Sequence, residues 1–130
     1  MLHASLSIPP VVRSYRDLVV WQKAVALVKD VYRATQVFPK HELYSLATQI
    51  RRAAVSVPSN IAEGQGRLTT GEFRQFLGQA RGSLLELETQ VFVAHELGYL
   101  SQTRAEELLR STAEVGRVLN GLLASLPSRR

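Results

Sequence analysis

The chain has 130 residues, 45% hydrophobic and 21% charged, with no cysteine and a formal net charge of +5. That length supports one domain with its own core; the missing cysteine excludes disulfides, thiolate catalysis and cysteine-ligated zinc, and no apolar run approaches the ~18 residues a membrane span needs. Most of the 16 basic residues are arginine, the side chain that forks onto phosphate, so the charge admits a nucleic-acid partner as well as serving solubility.

Residues 1–14 are mildly apolar, carry Pro9 and Pro10 and lack a basic leader. They read as a flexible N-terminal arm rather than a signal peptide, and the absence of cysteine suits the cytoplasm. After the arm the apolar spacing is helical throughout. In residues 15–38, Leu18, Trp21, Val25, Val28, Tyr32 and Thr35 form one stripe, and Val20, Ala24, Leu27, Val31 and Ala34 form a second beside it. Together they predict one broad buried face, with Ser14 as cap, Asp17 in the first turn and Pro39 as the stop.

Residues 41–64 carry the stripe Leu43, Leu46, Ile50, Ala54, Val57 and Ile61. The stripe keeps phase across Pro58, which predicts one helix bent there rather than a loop. The proline removes the helical donor of the Ala54 carbonyl, leaving Ser56, Ser59 or water to satisfy it, and Gly64 and Gly66 supply the stop. In residues 69–100, Phe73, Leu77, Ala80, Leu84, Leu87, Val91, Ala94 and Gly98 alternate steps of four and three, the pattern of a bundle seam. Thr69 with Glu72 fits a capping box. Residues 101–126 repeat the alternation through Ala105, Leu108, Thr112, Val115, Leu119, Leu122 and Leu126, with Thr103 and Glu106 as another candidate box. Residues 127–130 form a tail. Four long helices on short connections predict an all-α, antiparallel up-down-up-down four-helix bundle over residues 15–126.

Some apolar residues are left over. Leu85, Phe92 and Tyr99 lie seven apart beside the seam, Phe76 and Val93 are also off it, and Leu109, Val118 and Leu123 do the same on the last segment. Such groups mark a partner surface when exposed, so self-association is expected, a wider core being the alternative. Gly78 and Gly82, four apart, read as a close helix crossing, since each glycine costs a helix roughly 1 kcal/mol.

Chemistry is weakly supported. The stretch EGQGR lacks phosphate-loop spacing and a preceding strand. His95 has Phe92 three residues before it, so the inward ExxH pair of a bundle metal site is missing. No serine sits on a nucleophile elbow. Asn60 and Glu63 read as polar-network or interface residues, with Ser83 and Glu86 as partners across the helix pair. Neither a catalytic residue nor a cofactor is expected. The arginines form spaced sets: Arg67, Arg74 and Arg81 are seven apart, Arg110 and Arg117 repeat that spacing, and Arg51 and Arg52 stand together. Sets like these can track a phosphate backbone, although no aromatic is interleaved with them as a stacking platform. A solvated helix face looks the same.

Three stretches carry a resemblance: YRDLVVWQKAVALVKDVY, SVPSNIAEGQGR and GSLLELETQ. The motif P-S-N-I-A-E-G falls on Pro58 to Gly64, and G-S-L-x-E-L-E-T on Gly82 to Thr89. Over residues 15–126 the chain resembles the bacterial four-helix-bundle proteins whose relatives are encoded in intervening sequences of large-subunit ribosomal RNA genes. The accessory variability protein of diversity-generating retroelements is a more distant relative. The resemblance implies a homo-oligomeric ring, five copies being the known arrangement, and no enzyme activity. The retroelement relatives are basic and contact nucleic acid. The function expected is therefore a cytoplasmic pentameric bundle binding RNA or DNA through arginines, with a protein-interaction scaffold as the alternative.

Overall fold

The computed structural model describes residues 14–127; the expected arm, apart from Ser14, and all of the expected tail but Pro127 lie outside them. Four α-helices account for most of the described chain: α1 (Val19–Thr35), α2 (Leu46–Gln65), α3 (Thr70–Glu96) and α4 (Gln102–Ser125). Each packs on its chain neighbours, and α4 closes back on α1. Between α2 and α3, rising numbers meet falling ones: Ser56 meets Ser83, and Gly64 meets Phe73 and Phe76. These pairings fit antiparallel neighbours in a bundle.

The stripes build the core where the period placed it. Val20, Ala24, Leu27, Val31 and Ala34 of α1 are buried, as are Ile50, Ala54, Val57 and Ile61 of α2. On α3 and α4, Leu77, Ala80, Leu84, Leu87, Val91 and Ala94 face Ala105, Leu108, Val115, Leu119 and Leu122. The α1 stripe that begins at Leu18 is buried at Leu18 and Thr35 but shallower between them. Trp21 and Val28 pack against the rim, and Tyr32 is exposed. Leu109, Val118 and Leu123, expected to be left over, are partly buried against the core as well. The core is wider than one stripe per helix.

The starts of α1, α2 and α4 differ from the sequence reading, while that of α3 agrees with it. Ser14 and Asp17 do form a reciprocal capping box, but on a single 3-10 turn, Tyr15–Asp17. Leu18 is extended, and α1 begins only after it. The second segment opens with another 3-10 turn, Lys40–Glu42, and α2 starts at Leu46. α3 is capped by Thr69, whose hydroxyl accepts from the Glu72 amide at 3.1 Å. α4 is capped by Ser101, accepting from the Arg104 amide at 3.1 Å, and not by Thr103, which lies inside the helix.

Three glycine assignments also change. α2 runs unbroken through Pro58 to Gln65, and Gly64 is a buried interior residue. A Cβ there would meet the Cβ of Phe76 at 2.7 Å, so Gly64 is where α3 comes close to α2. Gly78 and Gly82, expected at that crossing, have open space around them. Gly98, counted in the seam, ends α3 instead. Its φ of 83° is the left-handed conformation, and Tyr99 N donates to Ala94 O at 2.9 Å while Gly98 N donates to His95 O at 2.9 Å. That double bond pattern satisfies two carbonyls a helix end leaves open.

Candidate functional site

The expected polar network exists in smaller form. The Asn60 side-chain amide donates to the Ser56 hydroxyl and carbonyl, both at 2.9 Å. The Ser56 hydroxyl meets that of Ser83 at 2.8 Å, joining α2 to α3. Ser56 is thus turned to α3 rather than to the Ala54 carbonyl. The two acids are not members. Glu63 sits on the exposed side of α2 and pairs with Arg67 at 2.6 Å, and Glu86 on the exposed side of α3 accepts from Gln90 at 3.3 Å. Each acid bonds the residue four positions further along the chain instead, so this network is a neutral helix-to-helix clasp.

Tyr99 leaves the outward apolar set to which its spacing assigned it. After the Gly98 turn its ring packs on Phe38, centroids 5.5 Å apart. Its hydroxyl donates to Glu42 Oε2 at 2.8 Å. The hydroxyl of Ser45 donates to the other oxygen of Glu42, and His41 stands beside it at 3.9 Å. These hydrogen bonds, that from Ser45 first, hold the Glu42 carboxyl below the ordinary glutamate range. The same bond to Glu42 raises the Tyr99 phenol. The cluster ties the α1–α2 connection to the α3–α4 connection. Its members come from connections whose folding no helical period encodes, so the sequence reading missed Glu42.

The seven candidate arginines do not share one face. Arg67 pairs with Glu63 and lies 4.7 Å from the Phe76 ring centroid. Arg74 donates to the carbonyls of Leu126 at 3.2 Å and Pro127 at 2.8 Å, as well as to Leu123. It holds the end of α4 and is committed there, so the 67–74–81 set does not act as a stripe. Arg117 comes within 3.9 Å of Glu114, whose carboxyl is lowered mainly by its hydrogen bond from Lys23. Among the described residues, no carboxylate lies within ion-pair distance of Arg51, Arg52, Arg81 or Arg110.

An aromatic accompanies Arg51 through packing rather than through interleaving in the sequence. The Arg51 guanidinium lies 4.8 Å from the centroid of Tyr32, and its Nε donates to Thr35 Oγ1 at 2.8 Å. Tyr32 and Arg51 are nineteen positions apart on different helices, so only the packing of α1 on α2 reveals the pair. Leu85, Phe92 and Val93 are exposed on α3, as expected. With Gly78, Gly82 and Thr89 they face away from the core. Among the described residues no helix is long and apolar enough to cross a membrane, and no cluster of acids and histidines could hold a metal ion.

Comparison with known proteins adds two findings. A family model described as 23S rRNA-intervening sequence protein matches residues 16–121. Among solved structures, the chain is similar to a protein of unknown function from the S23 ribosomal protein family of Bacteroides thetaiotaomicron. The TM-score is 0.77 at 18% identity, covering 82% of this chain and 96% of that one. At that identity the likeness shows the fold alone. No curated protein matches.

Proposed function

We propose, from the premise that the chain belongs to the 23S rRNA-intervening sequence protein family, that it is a non-enzymatic cytoplasmic bundle that self-associates and binds RNA or DNA. The observation carrying this reading is that four of the candidate arginines, Arg51, Arg52, Arg81 and Arg110, have no carboxylate within ion-pair distance among the described residues, on a chain of net charge +5. An arginine already paired with an acid gains little from a phosphate, because it must give up a partner. An unpaired one releases only counterions, and that release is what drives association with a polyanion.

The test is binding of the full chain to a labelled RNA hairpin and a DNA duplex across a salt series. Wild type is expected to bind at low salt and to lose affinity steeply as salt rises. Combining Arg52→Ala, Arg81→Ala and Arg110→Ala should weaken binding and flatten the logarithmic salt slope by about 0.9 for each phosphate no longer neutralised. Absence of binding at low salt would overturn the reading.

A second reading, a protein-interaction scaffold, draws on the exposed α3 surface, where Leu85 and Phe92 are each 58% exposed. Capture of one defined protein that survives nuclease treatment would favour it. Both readings use self-association, for which five copies is the arrangement the family resemblance implies.

A further inference from the structure

The groove between α1 and α2 sets two arginines in neutral surroundings. It is lined by Tyr32, Thr48, Arg51, Arg52, Val55 and Ser56, an open trough of about 510 Å³ with no acid in its walls. Other arginines are held by carboxylates: Arg33 by Asp30, Arg67 by Glu63, Arg104 by Glu107. Here Arg51 is held by neutral groups. Its Nε donates to the hydroxyl of Thr35, a fully buried residue. That hydroxyl in turn donates to Val31 O at 2.9 Å. The guanidinium plane is steadied by the Tyr32 ring at 4.8 Å. Fixing Arg51 through Nε leaves its terminal nitrogens without a hydrogen-bond acceptor among the described residues. Arg52 is exposed next to it.

We infer that this groove is a binding site for single-stranded nucleic acid, in which an unstacked base lies against Tyr32 and Arg51 and the adjoining phosphate meets Arg52. This deepens, and rests on, the nucleic-acid reading above. Its chemistry has three parts. Tyr32 is 43% exposed and Val55 39% exposed, so the groove offers an aromatic and an aliphatic surface. A duplex has its base faces stacked away and gains nothing from such a surface, whereas a single strand stacks bases on aromatic rings and arginine planes. Because its anchor is a hydroxyl, no negative charge stands against the Arg51 guanidinium in the groove. Arg52, exposed beside Arg51, supplies the charge for the phosphate.

The experiment uses the full chain and three labelled probes: a short oligouridylate, the matching oligodeoxythymidylate and a blunt duplex. Tyr32→Leu removes the π face while keeping apolar bulk, and Tyr32→Phe restores the ring. Tyr32→Leu is expected to weaken both single strands about tenfold, the scale of one lost base stack, and to leave the duplex unchanged. Tyr32→Phe should bind as wild type does. Thermal melts of both variants should match wild type, because the side chain is half in solvent. Unchanged single-strand affinity in Tyr32→Leu, with wild type binding all probes, would overturn the groove while leaving the broader reading intact. Wild type binding none of the probes would overturn both. Equal competition by a polyglutamate peptide would also overturn the groove, since charge alone would then account for it.

Discussion

A side chain at position 64 has nowhere to go: besides the Cβ of Phe76 it would meet the backbone oxygen of Phe73 at 3.2 Å. Gly64→Ala should therefore cost about 1–3 kcal/mol, the range for overpacking a well-filled region, read as a lower urea midpoint at unchanged slope. Gly121→Ala is the control, because nothing lies within 4 Å of that site. There the gain in helix propensity should raise stability by up to ~1 kcal/mol. Glu42 acts at the same scale through protonation. Its folded carboxyl is held below the ordinary value of 4.5 by Ser45 and then Tyr99. The unfolded chain takes up the proton first as pH falls. The Glu42 contribution is thus fully present above 4.5 and is lost as pH drops through the depressed folded value. Glu42→Gln should lower Tm at neutrality and flatten the acid limb of a Tm-against-pH curve. An acid limb identical to wild type would assign that sensitivity to other carboxylates. Tyr99 has the opposite sign, its contribution being lost at alkaline pH as the raised phenol ionises.

Among the elements, Arg74 joins the beginning of α3 to the end of α4. A helix end leaves carbonyls without amide donors, and the Arg74 guanidinium supplies donors to Leu126 and Pro127. Arg74→Ala should cost about 1 kcal/mol, the usual net worth of such bonds, and the loss should be local. Hydrogen exchange should quicken in the last turn of α4 while α2 keeps its protection. The same interaction shows what a sequence can and cannot carry. The four helices and most core positions were legible, because burial imposes a period of 3.6 along each segment; Phe38, Ala47, Ala53 and Leu100 are buried outside the stripes. The helix starts were less so. Thr103 and Glu106 satisfy the capping signature as well as Ser101 does, and the Gly98 turn decides which of them stands at the helix entrance. The role of an arginine was least legible. Arg74 and Arg81 have the same type and lie one heptad apart, yet one is committed to α4 and the other is exposed. What separates them is the neighbouring helix, which spacing within α3 does not describe. The pairing of Tyr32 with Arg51 has the same origin, as does the close approach of α3 to α2 at Gly64 rather than at Gly78 and Gly82.

For the whole molecule, the exposed side of α3 sets the expected assembly. Gly78, Gly82, Leu85, Thr89 and Phe92 recur there at steps of four and three, all exposed and none charged. That is the spacing of a helix seam placed opposite the seam that builds the core. Leu85 and Phe92 contribute the apolar area, and the open space at Gly78 and Gly82 admits a second backbone. In a monomer this strip is a liability, because large exposed apolar groups favour association. Light scattering on the eluted chain should give a multiple of 14.5 kDa, with five copies as the expected number. Leu85→Glu combined with Phe92→Glu should give the monomer mass with an unchanged helical spectrum, since neither side chain belongs to the core. Gly78→Ala separates the two levels. It should stabilise the isolated helix by about 1 kcal/mol while loosening the assembly, so Tm should rise in dilute samples and the association midpoint should move to higher concentration. Assembly also bears on nucleic-acid affinity. On the proposed reading, copies held together would present their grooves to one strand, and the second engagement would become intramolecular. The double glutamate variant should therefore bind a long single strand far more weakly than wild type but a very short one nearly as well, after allowing for its added negative charge. Equal loss on both lengths would mean that the α3 surface touches the nucleic acid itself.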